Sequence, residues 1–98
     1  MRIAKVIGSV TLGRCHPSLV GESLRVVIPL SLANLSGQND RRADDFVALD
    51  EMGAGVGSLV GVSEGAEAAQ PFYPDTKPID AYCAAILDQV HVSAANRL

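Results

Sequence analysis

A chain of 98 residues has room for one small core, since a domain of this size buries only a modest share of its surface. Hydrophobic residues make up 48% of it, with no Trp, two Phe and two Tyr, so Val, Leu, Ile and Ala must fill the interior. The formal net charge of -3 and isoelectric point near 5.1 argue against a protein built to neutralise phosphates, which needs a basic face. A mean hydropathy of +0.22 in so short a chain points to apolar surface buried against another subunit.

From Arg2 to Arg14, Ile3, Lys5, Ile7, Ser9 and Thr11 form one face and Ala4, Val6, Gly8, Val10 and Leu12 the other. That alternation, rich in β-branched residues, predicts a strand. The same stretch lacks the continuous apolar run and small-residue cleavage site of a leader. No segment reaches the about 18 to 20 apolar residues of a membrane span, so a soluble, unprocessed protein is expected. Cys15 to Glu22 reads as a loop around Pro17 and Gly21. A second strand runs from Leu24 to Leu32, with Pro29 confining that portion to an edge or a bulge, because proline cannot donate to a ladder.

Residues 34–45, NLSGQNDRRADD, are too polar to order themselves by burial and predict an exposed loop. Phe46–Asp50 reads as a third strand and Ser58–Ser63 as a fourth. Strands joined by short loops suggest a small barrel. Gly65–Gln70 has helix formers for one or two turns that stop before Pro71. Around and after Asp80, a candidate helix cap, the apolar residues Ile79, Tyr82, Cys83, Ile86, Leu87 and Val90 fall at helical spacing and favour a helix, although they could also serve a buried strand.

Several residues invite a chemical role. Gly53-Ala54-Gly55-Val56-Gly57 suggests a phosphate cradle, but a dinucleotide fingerprint needs GxGxxG opening a helix and a P-loop needs Lys with Ser or Thr. A tight turn, or close packing where a Cβ would clash, accounts for it better. Asp44, Asp45, Asp50 and Glu51 could be imagined as acid, base or hard-metal ligands, yet no calcium-loop pattern joins them. Solvated charges at loops and strand ends are the simpler account.

Cys15-His16 is the nearest approach to a nucleophile and base. Adjacent side chains usually point apart, so a turn role is expected. Cys83 reads as a small buried hydrophobe and His91 as surface decoration. With no CxxC or Cys/His ligand spacing, neither a disulfide framework nor zinc is indicated, and a reduced cytosolic compartment fits. No cofactor is expected. Arg41 and Arg42, mixed with Asp40, Asp44 and Asp45, form no nucleic-acid patch and are candidates for contacts with a neighbouring subunit.

The ordered set of MRIAKVIGSV (1–10), RCHPSLVG (14–21), Leu24–Leu30, VALD (47–50), GAGVG (53–57) and the closing Ile79-Asp80-Ala81 with Ile86-Leu87-Asp88 resembles the CcmL/EutN family over nearly the whole chain. The resemblance implies one domain over 1–98, mainly β, an OB-like β-barrel with a short helix. Five copies would form a pentamer that closes the vertices of a bacterial microcompartment shell in the cytoplasm. It implies no catalysis, with hexameric shell proteins as neighbours and no nucleic-acid or membrane partner.

It further implies that Gly53, Ala54, Gly55, Val56, Gly57 and Ser58 lie near the pentamer pore or a subunit interface. Family members often carry an acid directly after that motif, where this chain has Ser58. By the same likeness the segment after Asp80 should be a barrel strand, and that expectation is preferred to the helix. The competing reading is an OB-type domain that binds a ligand or single-stranded nucleic acid, which would need exposed aromatics and basic residues.

Overall fold

Among the described residues the chain forms β1 (Arg2–Val10), β2 (Ser23–Pro29), β3 (Phe46–Asp50), β4 (Leu59–Glu64) and β5 (Ala81–Leu87), with a short α-helix, α1 (Leu32–Leu35). The computed structural model of the chain describes residues 1–37 and 44–93. The strands close into a barrel of order β1-β2-β3-β5-β4, antiparallel throughout except where β3 meets β5 in parallel. A mainly β barrel is thus what the strand-rich pattern and the resemblance both implied.

Inward positions alternate as a strand requires. Ala4 and Val6 of β1 face Val27 of β2, Ala48 of β3, Val60 and Val62 of β4, and Ala81 and Cys83 of β5 in one core. Nothing bulkier than valine stands among them, which suits the narrow bore of a five-stranded barrel. Two irregularities relieve the curvature, one between Val6 and Gly8 opposite β2 and one between Gly61 and Val62 opposite β5; extra residues of this kind bend and twist a strand.

A second apolar layer lies outside the barrel. Leu24 and Leu49 pair across β2 and β3 on the face opposite Ala48, yet both are buried, because Leu12, Leu19, Pro78 and Ile79 border the cleft over them. Lys77 secures this cover. Its ammonium donates to Glu22 Oε1 at 2.8 Å and lies 4.4 Å from the centre of the Phe72 ring, which meets Tyr82 edge-on.

The structure decides four sequence expectations. The segment after Asp80 is strand β5, as the resemblance implied, and not the helix its periodicity favoured. Inward residues pack in the core while Tyr82 on the other side meets Phe72, and apolar residues on both faces blur a period of two into one resembling 3.6.

Pro29 stands at a local edge, as expected: it ends β2 opposite Ala4 of β1, while the pairing of β2 with β3 stops at Val27, so its missing N–H is tolerated. Beyond it, Ser31 caps α1 by accepting from Asn34 N while Asn34 Oδ1 accepts from Ser31 N, so the predicted strand to Leu32 stops early and the predicted loop opens with a helical turn. The helical segment after β4 is a 3-10 helix over Gly65–Phe72 that includes Pro71, whose fixed φ falls within the range of that helix.

Candidate functional site

The glycine-rich segment between β3 and β4 is where the chain places its most specific polar geometry. Asp50, the last residue of β3, points inward at the barrel mouth and is 2% exposed. Its Oδ1 accepts from Met52 N at 3.1 Å and its Oδ2 from Ala54 N at 2.8 Å, the habit of an aspartate that opens a turn. Arg25 of β2 approaches from across the sheet. Its Nε lies 3.7 Å from Asp50 Oδ2 and donates to Ala54 O at 2.8 Å, while Nη1 donates to Leu24 O at 3.3 Å.

Ala54 is therefore held at its N–H, at its carbonyl and through its methyl, which is buried in the core cluster. The far end of the segment is stitched to β1: Gly57 N donates to Val6 O at 2.8 Å and Val6 N donates to Ser58 O at 2.9 Å. Gly53 and Gly57 turn the chain with φ of 78° and 94°, where a side chain would be strained. Between these anchors the tip faces outward. Val56 is 75% exposed, and among the described residues a Cβ added at Gly55 would meet nothing within 4 Å apart from its two chain neighbours.

Of the six candidate residues 53–58, Ala54 is thus buried, Gly53, Gly55, Val56 and Gly57 are exposed, and Ser58 is half-buried. No side chain from 52 to 58 is charged. Arg41 and Arg42 lie outside the described residues. The reading of Asp50 as a solvated charge is corrected, since its carboxylate is enclosed by partners from the turn and from β2. Glu51 is exposed as expected, and its Oε1 accepts the Tyr82 hydroxyl at 2.8 Å, which pushes that phenol up to about 12, with burial as the second cause.

Reactive side chains do not converge among the described residues. Cys15 is exposed and Cys83 buried, and burial first, then the charge of Asp50, pushes the Cys83 thiol up to about 11, away from nucleophilic use. His16 Nδ1 accepts from Ser18 N at 3.1 Å and sits 2.7 Å from Ser18 Oγ. It caps the 3-10 turn Pro17–Leu19. Among the described residues no cluster of His, Cys, Asp and Glu could hold a metal, and no helix is long and apolar enough to cross a membrane.

A stacking platform for bases is also missing from this surface. Phe46 lies half-buried beneath Arg2, and Phe72 and Tyr82 contact each other, which leaves Tyr73 as the exposed ring.

A small closed barrel whose buried carboxylate fixes an uncharged, outward loop has the build of an assembly module. The comparisons with known proteins agree. The family model described as ethanolamine utilisation protein EutN/carboxysome matches residues 1–88, and the chain belongs to this EutN/CcmL family.

Curated relatives include the bacterial microcompartment shell vertex protein PduN of Salmonella typhimurium, 35% identical over 90% of this chain and 96% of that protein. The carboxysome shell vertex protein CcmL of Synechococcus elongatus is 39% identical over 94% of this chain and 88% of its own length. Among solved structures, the GrpN pentameric microcompartment shell protein of Rhodospirillum rubrum superposes with a TM-score of 0.78 at 34% identity, covering 95% of this chain and all of that one.

Proposed function

We propose that this protein is a structural, non-enzymatic subunit of a bacterial microcompartment shell, five copies of which form the unit that closes a vertex. The observation that carries the reading is the family match over residues 1–88, joined to a fold that overlays a pentameric shell protein along its length. Geometry supplies the reason for such a part. Hexagonal tiles alone make flat sheets, and a closed polyhedron needs five-fold units whose identical contacts close into a ring.

The Gly53–Ser58 loop is the segment this reading places at the subunit contact or central opening, since it is fixed in shape, free of charge and turns the Val56 side chain outward. Hexameric shell proteins are the neighbours such a unit would meet, with Arg41 and Arg42 among the side chains offered to them. Solution mass by light scattering tests the core of the reading. A species of five chains supports it, and a monomer at micromolar concentration overturns it.

A further inference from the structure

Burying an ion pair in a small barrel is a poor route to stability, because replacing such a pair with apolar side chains of similar size is often neutral or stabilising. The Asp50 side chain has no solvent exposure and that of Arg25 only 22%. Their hydrogen bonds show where the pair acts. Met52 N, Ala54 N and Ala54 O all engage it, and only the longer bond to Leu24 O serves the barrel strand itself.

We propose that Arg25 and Asp50 form a buried clamp that holds the Gly53–Ser58 loop in the shape in which Val56 meets a second copy of this chain. The inference rests on the placement of this loop at subunit contacts given above. Pre-forming a binding segment lowers the ordering cost of association, and here both ends are fixed, Gly55 O accepts from Ser58 N at 3.0 Å across the tip, and the Val56 side chain stays exposed. Beyond Gly55 lies open space, and Val56 presents an apolar side chain to it.

The charge pattern selects the partner. In a ring every copy presents the same segment, so a charged tip would set like charges against one another. Residues 52–58 carry none, whereas an acidic, basic or phosphate-bearing partner would find no complement there.

The test compares Arg25→Met with Asp50→Leu, made together, against Val56→Glu and the natural chain. The paired apolar variant removes the charges at similar volume. It should keep the barrel, judged by circular dichroism and melting of the dissociated chain, while Ala54 N exchanges its hydrogen faster and pentamer association weakens about tenfold or more. Val56→Glu should leave Ala54 protected and dissociate the pentamer.

If Val56→Glu dissociates it but the paired variant assembles with natural affinity, the clamp is overturned and the loop's placement stands. Assembly of Val56→Glu at natural affinity overturns both. Should the paired variant fail to fold, Asp50→Asn decides, since it keeps the shape but loses the charge and an acceptor: weakened association with the barrel intact supports the clamp, and unchanged association overturns it.

Discussion

The three glycines of the 53–57 segment should separate into two kinds. Gly53 and Gly57 hold φ of 78° and 94°, a region in which an L side chain crowds its own carbonyl at a cost of about 1–2 kcal/mol. Alanine at either should lower the melting temperature by about 4–8 °C for each kcal/mol in a domain of this size. Gly55 has no positive φ, and apart from its two chain neighbours no described residue comes within 4 Å of an added Cβ, so Gly55→Ala and Gly55→Leu should leave the dissociated barrel unharmed.

Gly55→Leu should instead weaken assembly, because the added side chain extends into space that a neighbouring copy would occupy. Because an oligomer's melting point rises with protein concentration, each variant should be melted over a dilution series, with light scattering on the same samples. Normal pentamer yield and melting for Gly55→Leu would refute packing of this segment against a neighbour. Unchanged melting of Gly57→Ala would refute the backbone argument.

Thiol chemistry gives a second check: at neutral pH the native protein should label at Cys15 alone and at both cysteines once unfolded, while the double serine variant assembles normally at about 1–3 kcal/mol lower stability for a hydroxyl placed at buried Cys83. Loss of a measurable turnover or of metal binding in that variant would contradict the non-enzymatic reading. The Tyr82 phenol, raised to about 12 chiefly by its bond to Glu51, should contribute stability that is full below the ordinary value of about 10 and declines as pH rises from about 10 to 12. Ultraviolet titration should follow this, and Glu51→Gln should return the phenol toward its ordinary value; an unchanged titration curve would count against the contact. Reversing Arg41 and Arg42 to Glu should leave the isolated pentamer whole but reduce its retention in shells co-expressed with hexameric proteins, and full retention would place those contacts elsewhere.

What the sequence disclosed depended on how local each cause was. Phe46–Asp50 was readable as a strand with its observed bounds because a short apolar run, a polar stretch before it and glycines after it all lie within a few residues. The β5 segment misled periodicity because Cys83 faces the core while Tyr82 on the other side packs on Phe72, a partner ten residues upstream across a proline-rich connection.

Asp50 misled for a similar reason. Its charge looked solvated until Arg25, supplied by another strand, came into place. A local signal did exist, since an aspartate directly before a glycine-rich turn is the usual acceptor for that turn's N–H groups. The second apolar layer, by contrast, had no local mark: Leu24, Leu49 and Ile79 meet only after three separated parts of the chain fold together.

The strand order carries a consequence for when this protein can be made ready. β5 is the last of the described strands in chain order, yet it stands between β3 and β4 and completes the wall. Contacts that join distant parts of a chain form slowly, since loop closure must precede their reward. A nascent chain that has emerged only as far as residue 80 therefore exposes the flanks of β3 and β4 and lacks Cys83 from its core. A product cut short before β5 would lack a stave of this wall, and the barrel could not close.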